Sequence, residues 1–489
     1  MKERGVTEQR RCNRRAFLQA LGAAAVTAAV PERRSVAKRP NVLFLYTDDQ
    51  TFDSIHALGN NEIQTPNMDR LVARGTAFRN CYNPGGWHGA ICVASRTMLN
   101  TGLFLWEAMP LEKEPRQLAM QPLWGNVWRA QGYLTYLTGK WHVNVPPKLC
   151  FEKVEHVRPG MPKSVESAYL RPKPDGSDTW SPYDKSLGGH WEGGTHWAEV
   201  GANDAIAFLK EAPRDRPFFA YVAFNAPHDP RQAPKEYVDL YPPEKIALPK
   251  NFVPEFPAAK TMGAPATLRD ERLAPTPRTP HAVQVHRAEY YALISYLDAQ
   301  IGRILDALRA EGLEENTLVV LAGDNGLSVG HHGLMGKQNM FEPSMKVPMV
   351  LAGPGIPKGE QRSALVYLQD LRPTLFALAG LQEDARVNAF RSFDALLKPG
   401  TGEATPFRRE VYGAYMRKQR MLRRGPWKIT WFFGGRGKPG IWGLYNVVED
   451  PDECRNLAND PAQQQRVQVL KQALLDEMRR VHDPLKLDA

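Results

Sequence analysis

Two acidic segments of the sequence each follow a continuous run of apolar residues. Asp48 and Asp49 end the segment PNVLFLYTDD, and Asp324 and Asn325 end TLVVLAGDN. Such apolar runs are typical of buried parallel strands, and polar residues beyond the carboxyl ends of these strands meet at one edge of a sheet. Carboxylates crowded together repel one another, and a divalent cation relieves the repulsion. Because all the donors are oxygens, the set predicts a hard ion such as calcium or magnesium rather than zinc.

Cationic side chains follow the same pattern. Lys140 and His142 close the segment LTGKWH, and His228 closes FFAYVAFNAPH. Lys140 and His142 are two residues apart, so an extended chain places both on one face. Taken singly, each is an ordinary polar residue at the end of a strand. Their convergence beside a metal, with Arg96 and Lys337, suits the tetrahedral anionic group of a substrate.

Cys92 lies in the segment ICVASRTMLNTG, behind a loop that contains glycine and tryptophan. If a helix begins at Cys92, Arg96 lies on the same side one turn further along. The start of a helix offers free amide donors and a partial positive charge, which suit an anion. Cys92 is therefore predicted to be a nucleophile or the precursor of one, although a buried thiol is also compatible with its position. One disulfide among Cys81, Cys150 and Cys454 is allowed, and no C-x-x-C spacing indicates zinc.

The elements that hold these residues alternate along the chain. A strand at residues 40–49 is followed by a helix that starts near Thr65 and Pro66, and helix, loop and strand then recur as far as residue 325. This order predicts an α/β fold with a large, mainly parallel sheet sandwiched by helices. Short antiparallel strands and a helix within residues 462–481 then predict a smaller α+β subdomain at the C-terminus.

Three units are predicted: a signal segment at 1–37, a catalytic α/β domain at 38–404 and the C-terminal subdomain at 405–489. Two stretches rich in proline, glycine and charge, residues 148–192 and 229–280, interrupt the alternation. Long excursions from a compact domain usually build binding sites. We expect these two to shape the pocket for the leaving group.

The positive charge of the sequence is concentrated in its first residues. The 489-residue chain has a formal net charge of +10, but residues 1–39 hold ten Lys or Arg against three Glu. The remainder is nearly neutral and has no basic stripe interleaved with aromatic residues, so nucleic acid is not expected as a partner. Arg14 and Arg15 precede a short alanine-rich run, which is the order of a twin-arginine signal, although a plain basic tail is the alternative. The run is too short for a stable membrane span, so the protein is expected to be periplasmic or secreted.

A series of short segments carries a family likeness. CVASR followed by TMLNTG is similar to the signature C-x-P-S-R with T-G a few residues on, and PNVLFLYTDDQ, GKWH, APHDP, DNG and HHGLMGKQNMFE match further blocks in order. LYNVVEDPDECRNLAND is similar to a C-terminal strand and turn. Together they resemble the formylglycine-dependent type I sulfatases of the alkaline-phosphatase superfamily, of the carbohydrate and iduronate-sulfatase kind. The likeness runs from about residue 40 to 462.

The resemblance implies a modified nucleophile and a metal. Cys92 would be oxidised after translation to formylglycine, whose hydrate attacks sulfur with one hydroxyl. One Ca²⁺ would be bound by that residue together with Asp48, Asp49, Asp324 and Asn325. The metal would make the attacking hydroxyl more acidic.

The resemblance also implies roles for the basic residues. Arg96 and Lys140 would hold the formylglycine and the sulfate oxygens. His142 would remove the proton that collapses the sulfated intermediate. His228 and Lys337 would bind the sulfate and help the leaving oxygen depart.

Position 94 departs from the commonest form of the signature, because it is Ala where that form has Pro. The family includes a C-x-A-x-R form, so the chemistry is retained. The maturation partner stays open between the oxygen-dependent formylglycine-generating enzyme and the radical enzyme. Twin-arginine export fits either one, since it moves folded protein.

Several alternatives compete with a sulfatase. A phosphate or phosphonate monoester hydrolase would use the same site, because both groups are tetrahedral anions. A serine hydrolase is suggested by GLSVG at residues 326–330, but that motif must open a helix. A cysteine hydrolase based on Cys92 leaves the acidic residues unexplained. An inactive sugar-binding relative would have lost site residues, and none is lost.

The substrate is the least specified part of the prediction. The family acts on sulfated sugars, glycosaminoglycans, aryl sulfates and choline sulfate. The long polar excursions favour a sulfated carbohydrate, whether a small molecule or an oligosaccharide. Their aromatic residues, such as Trp180, Trp191 and Trp197, either stack on sugar rings or pack as ordinary loop residues.

Overall fold

The computed structural model describes residues 39–382, 389–398, 400 and 406–487. The signal segment predicted at residues 1–37 and the predicted boundary between residues 404 and 405 lie outside these described residues. Within them, no helix is both long enough and apolar enough to cross a membrane.

The strands of the described chain form two sheets. In chain order they are β1 (Asn41–Thr47), β2 (Gly75–Tyr82), β3 (Gly85–Gly86), β4 (Leu134–Lys140), β5 (Lys153–Arg158), β6 (Phe218–Ala223), β7 (Thr317–Gly323), β8 (Met349–Ala352), β9 (Glu360–Tyr367), β10 (Glu410–Tyr415), β11 (Gln419–Arg424), β12 (Trp427–Phe432) and β13 (Ile441–Asn446). The larger sheet has the order β5-β4-β6-β1-β7-β8-β2-β9. Its neighbours pair in parallel except at β8, which runs antiparallel to β7 and β2. The predicted mainly parallel sheet is confirmed.

Helices cover both faces of this sheet. In chain order the helices of the described chain are α1 (Pro66–Arg74), α2 (Ile91–Thr101), α3 (Leu105–Glu112), α4 (Pro115–Ala119), α5 (Trp124–Ala130), α6 (Trp197–Glu211), α7 (Lys235–Val238), α8 (Ala259–Met262), α9 (Pro280–Ala310), α10 (Glu342–Met345), α11 (Leu371–Leu378) and α12 (Gln464–Arg480). Side chains of β1 alternate between two cores. Leu43 lies in the core that contains Leu293 of α9, and Phe44 packs edge-on against Trp124 of α5.

The smaller sheet has the order β13-β12-β11-β10-β3 and is antiparallel from β10 to β13. Together with α12 it confirms the predicted antiparallel strands and C-terminal helix. Its core is continuous with α2, since Ile91 and Ile429 belong to one buried cluster. Lys428 of β12 is fully buried and lies 2.9 Å from Glu342 and 2.8 Å from Glu453. This buried ion cluster joins β12 to α10.

The described cysteines form no disulfide. Cys81 and Cys150 are buried and Cys454 is exposed, each as a free thiol.

The order of the larger sheet positions the candidate site. Strands β4, β6, β1 and β7 are consecutive and parallel, so their carboxyl ends lie side by side. Asp48 follows β1 directly, Asp324 follows β7 directly, and Lys140 is the last residue of β4. His228 lies in the loop after β6. The edge of the sheet at which the sequence places its polar residues is therefore one continuous edge.

Candidate functional site

Cys92 is the second residue of α2, a helix whose residues are all buried. The helix begins at Ile91, one residue before the predicted start. Strand β3 crosses its first turn closely, because a Cβ added at Gly86 would lie 3.3 Å from the Cβ of Ala94. The nucleophile candidate therefore lies on a rigid, buried helix start, as the sequence predicts.

Two acidic residues lie beside the thiol. One donor atom from each of Asp48, Cys92 and Asp324 lies within 4.8 Å of the other two. The Nε of Arg96 donates to Oδ2 of Asp324 at 2.8 Å. The Nζ of Lys140 forms an ion pair with Asp48, and all four charged side chains are completely buried. The structure thus brings residues from α2 and from three strand ends together.

Asp48, Asp49 and Asp324 form an acidic cluster with their basic partners, and Asp49 makes the remaining contacts in it. The Nζ of Lys337 lies 2.6 and 2.8 Å from its two carboxylate oxygens, and the Nε2 of His228 lies 3.7 Å away. The Nδ2 of Asn325 donates to Oδ1 of Asp49 at 2.7 Å. The backbone N–H of Asp49 donates to Oδ1 of Asp324 at 3.2 Å. With these contacts, the structure places all of the predicted site residues except His142 in one network.

His142 lies beside Cys92, but not through the extended conformation that its spacing predicts. Strand β4 ends at Lys140, and His142 has a left-handed backbone conformation with a φ of 54°. The expectation that both residues share one face of an extended chain is therefore wrong. Lys140 reaches Asp48, whereas the Nδ1 of His142 lies 3.4 Å from the Sγ of Cys92. A non-glycine residue in this conformation costs on the order of 1–3 kcal/mol, and such strain tends to occur at functional sites.

The protonation states of Cys92 and His142 argue against a cysteine hydrolase. Burial raises the pKa of the Cys92 thiol above its ordinary value. Burial, with the charges of Lys140 and Arg96, lowers the pKa of His142 to about 2. Both shifts favour the uncharged forms of the two side chains. A nucleophilic cysteine of that class needs a thiolate stabilised by a histidine cation.

The two neighbouring aspartates are in opposite electrostatic situations. Burial and the charge of Asp324 raise the pKa of Asp48 well above its ordinary value, against the opposing effect of Lys140. Burial also opposes ionisation of Asp49, but Lys337 and His228 hold its pKa well below the ordinary value. The repulsion between Asp48 and Asp324 is therefore only partly offset by Lys140.

The residues present fit a hard divalent cation. Oδ1 of Asp48 and Oδ1 of Asn325 are buried and have no hydrogen-bond partner in the described chain. A buried oxygen of this kind is costly unless something binds it. The protein donors are carboxylate and amide oxygens with position 92 beside them, which is the chemistry of a calcium site rather than a zinc site.

A cleft of about 410 Å³ opens at the cluster. It is lined by Gly89, Ala90, Cys92, His142, Pro159, Gly160, Met161, His228, Leu268, Arg269, Asp270, Lys337 and Gln338. Residues 159–161 and 268–270 belong to the two long excursions, so both excursions do shape the pocket. Trp180, Trp191 and Trp197 are buried and do not line this cleft, so stacking of sugar on them is not supported.

The sequence does not identify Arg269 as a site residue. Its side chain is partly exposed in the cleft and pairs with both Asp229 and Asp270. Asp229 also contacts His228, whose Nδ1 lies 3.2 Å from its Oδ1. Asp229 stands in the segment APHDP and so had a sequence signal. Arg269 stands in a stretch without periodicity and had none.

The GLSVG segment is not a nucleophile elbow. Ser328 is buried, and its hydroxyl lies 3.1 Å from that of Ser344 and accepts from Nδ2 of Asn339 at 2.9 Å. The segment leads into a three-residue 3-10 turn at His331–Gly333, in which His332 is left-handed, rather than into an α-helix. The serine-hydrolase alternative is therefore not supported.

Comparison with known families identifies two matching regions. The family described as Sulfatase matches residues 40–381. The region described as N-sulphoglucosamine sulphohydrolase, C-terminal, matches residues 330–480. Together these matches extend over nearly all of the described chain.

Individual relatives cover most of the chain. A sulfatase of Formosa agariphila is 27% identical over 93% of this chain and 90% of its own length. A protein solved in complex with its substrate D-glucosamine-2-N,6-O-disulfate superimposes with a TM-score of 0.70 and 22% identity, over 91% of this chain and 99% of that one. The phosphonate monoester hydrolase of Agrobacterium radiobacter superimposes with a TM-score of 0.70 and 21% identity, over 91% and 96%. The two solved structures share the fold of this chain.

Proposed function

The chain belongs to the sulfatase family of sulfuric ester hydrolases, and on that premise we propose that it hydrolyses a sulfate ester of a carbohydrate, using formylglycine made from Cys92 and one bound Ca²⁺. The observation that carries the proposal is the position of Cys92. Its side chain lies beside Asp48 and Asp324 on one side and 3.4 Å from Nδ1 of His142 on the other, in the cleft. Position 92 thus lies against the acidic residues and His142 and also lines the cleft.

The charges of the cluster favour an anionic substrate once a cation is bound. Three carboxylates and three cationic side chains balance there: Asp48, Asp49, Asp324, Arg96, Lys140 and Lys337. A divalent cation leaves the loaded site positive, which attracts a sulfate ester. Bound Ca²⁺ also acidifies a hydroxyl placed at position 92. The candidate ligands are Asp48, Asp49, Asp324 and Asn325, together with residue 92.

The proposed roles of the basic residues follow from their positions. Lys337 and His228 line the cleft and are placed to bind the sulfuryl oxygens and stabilise charge on them. Neutral His142 directs Nδ1 at position 92 and is placed to accept a proton there. The imidazole of His228 is held at Nδ1 by Asp229, so its Nε2 stays directed towards Asp49. Arg96 and Lys140 hold the acidic residues and residue 92 in position.

A carbohydrate is the favoured substrate class. The cleft is open and combines charged with apolar lining residues, and part of its wall comes from the two long excursions, which suits an extended ligand such as a sulfated sugar. The C-terminal match to N-sulphoglucosamine sulphohydrolase and the fold shared with a glucosamine-disulfate complex support the same class. A screen of defined sulfated saccharides tests this point, and exclusive turnover of choline sulfate would contradict it.

A phosphonate monoester hydrolase is the second candidate. The fold shared with the Agrobacterium radiobacter enzyme favours it, and both substrate groups are tetrahedral anions. The two candidates are separated by comparing kcat/KM for an aryl sulfate and an aryl phosphonate that share one leaving group. A higher value for the phosphonate would replace the sulfatase assignment.

The nucleophile is tested by mass analysis of the peptide that contains Cys92. From a host with maturation activity, we expect loss of sulfur and gain of an aldehyde at position 92. Cys92→Ala should fold and bind substrate but not turn it over. Unmodified thiol in every molecule of an active preparation would contradict the formylglycine proposal.

Export and maturation complete the proposal. We propose that the segment at residues 1–37 directs twin-arginine export and that a formylglycine-generating or radical enzyme modifies Cys92 before export. Replacing Arg14 and Arg15 with Lys should retain the protein inside the cell, as measured by fractionation. Unchanged export would contradict the route and leave the catalytic proposal intact.

A further inference from the structure

A second groove lies on the C-terminal part of the protein, outside the site described above. Its volume is about 890 Å³. It runs between the smaller sheet and α12, and the tail after α12 forms one end. Its lining residues are Arg417, Lys418, Trp431, Phe433, Lys438, Pro439, Gly440, Trp442, Gln468, Lys471, Gln472, Leu475, Leu485, Lys486 and Leu487.

Three aromatic rings form the sheet side of the groove. Trp431 of β12 and Trp442 of β13 are directly opposite each other in the antiparallel ladder, so they share one face. Phe433 is two residues beyond Trp431 and continues that face. The backbone at Gly440 packs against the indole of Trp431, because a Cβ there would lie 1.8 Å from Nε1. The rings are therefore held in place by the sheet.

The groove is strongly basic. Five of its lining residues are cationic and none is acidic. In the described part of the chain, none of these five cations takes part in an ion pair. Instead, Nζ of Lys471 lies 4.5 Å from the ring centre of Trp442, and Nζ of Lys418 lies 4.2 Å from that of Phe433. A cation–π contact positions an ammonium group without neutralising it, so the charge stays available to a ligand.

We infer that this groove is a second, non-catalytic binding site for a sulfated carbohydrate chain. The partly exposed rings of Trp442 and Phe433 offer apolar surface to the C–H face of a sugar ring, and the five cations match the sulfate groups. The ligand class rests on the proposed function. The inference that the groove binds an anionic chain does not depend on that function, because it follows from the shape and charge of the groove.

Residues that line the groove and the catalytic cleft are close together in the structure. Gln419 follows Lys418 directly, and its Nε2 donates to the backbone oxygen of Gln338 at 2.8 Å. Gln338 lines the cleft and Lys418 lines the groove. The groove and the cleft are thus linked through the buried side chain of Gln419.

The test is affinity electrophoresis of the full chain in gels that contain dextran sulfate, neutral dextran or inorganic polyphosphate. The Cys92→Ala variant is used as the parent, so the measurement does not depend on turnover. The groove variants are Lys438→Glu with Lys471→Glu, and Trp442→Ala. The matched control is Lys210→Glu with Lys358→Glu, two exposed lysines outside the groove. Thermal unfolding confirms that each variant is folded, and Lys438→Gln with Lys471→Gln replaces the charge-reversal pair if that pair is not.

We expect dextran sulfate, but not neutral dextran, to retard the parent and the control. The Kd for dextran sulfate should rise about tenfold in the charge-reversal pair. It should rise about fivefold in Trp442→Ala. Equal retardation of all variants would overturn the site. Polyphosphate binding as tight as dextran sulfate binding, with no effect of Trp442→Ala, would overturn the carbohydrate assignment. Turnover of a small aryl sulfate, measured separately with Cys92 intact, reports on the proposed function alone.

Discussion

The Nε of Arg96 lies 2.8 Å from Oδ2 of Asp324, and neither side chain has any exposed surface. The same guanidinium donates from Nη1 to the backbone oxygen of Lys140 at 2.9 Å and lies 4.5 Å from the ring centre of Tyr46. Arg96 thus joins α2 to the ends of β7, β4 and β1. A planar group with several donors can do this, whereas a lysine ammonium cannot reproduce the same fork.

Replacing Arg96 should therefore affect stability and activity together. Arg96→Ala leaves Asp324 as an unpaired buried charge and should lower the free energy of unfolding by about 3–5 kcal/mol. Arg96→Lys should lose less stability but still lower kcat, because residue 92 is no longer fixed relative to the strand ends. Urea unfolding and turnover of an aryl sulfate measure the two effects.

The matched control is Arg420, which forms an equally buried pair with Asp483 in the C-terminal region. Arg420→Ala should lose comparable stability while the folded fraction keeps its kcat. A fall in kcat of the same size in both variants would show that the loss follows stability alone.

Ca²⁺ should stabilise the folded protein, and Asp48 should be required for it. Ligand binding to the folded state alone adds about 2.7 kcal/mol at one hundred times Kd. We expect the Tm to rise with Ca²⁺ and to fall with a chelator. Asp48→Asn should remove this response, because its carboxylate supplies the unpartnered buried oxygen.

Asp298→Asn is the control for that experiment. Asp298 is buried and accepts from the backbone N–H groups of Asn67 and Met68, far from the acidic cluster in the sequence. This variant should be destabilised but keep the full Ca²⁺ response. A normal response in Asp48→Asn would show that the ion binds elsewhere.

Strand ends explain why much of the site is predictable. Asp48, Lys140 and Asp324 directly end or follow buried runs, and a parallel sheet must bring such ends together whatever the loops do. The start of α2 is likewise visible from the glycine-containing loop before Cys92. These positions depend on local pattern and on one topological rule.

The remaining features depend on contacts between distant parts of the chain. Arg269 reaches the cleft from a long irregular stretch, and its partners Asp229 and Asp270 are set by tertiary packing. The left-handed conformation of His142 cannot be read from a two-residue spacing. The burial of Trp180 is equally invisible, because an aromatic residue in a polar segment has no periodicity to place it.

His142 should contribute to the chemical step more than to substrate binding. Its Nδ1 faces position 92, and a positioned base typically contributes 10²–10⁴-fold to rate. In His142→Gln we therefore expect kcat to fall by about 10²–10⁴-fold with little change in KM. His156→Gln is the control, because His156 is exposed and contacts Asp204 away from the cleft. A rise in KM with kcat unchanged would assign His142 to binding instead.

A buried histidine should make the fold sensitive to acid independently of the catalytic site. Nδ1 of His196 accepts from the backbone N–H of Ala198 at the start of α6, and its Nε2 lies 3.0 Å from the backbone oxygen of Gln232. The ring also stacks on His190, with ring centres 5.0 Å apart. Burial and the charge of His190 hold the pKa of His196 well below its ordinary value of 6.5, against the opposing effect of the hydrogen bond to Gln232.

The sign of the pH effect follows from this depressed pKa. Below about pH 6.5 the unfolded chain binds a proton at this histidine and the folded chain does not, so the free energy of unfolding falls as the pH falls. Burial likewise lowers the pKa of His190 to about 4, which adds to the same loss. The free energy of unfolding of His196→Gln should therefore fall less steeply than that of the parent between pH 6.5 and 4 in urea titrations. An unchanged slope in His196→Gln would assign the acid sensitivity to other groups.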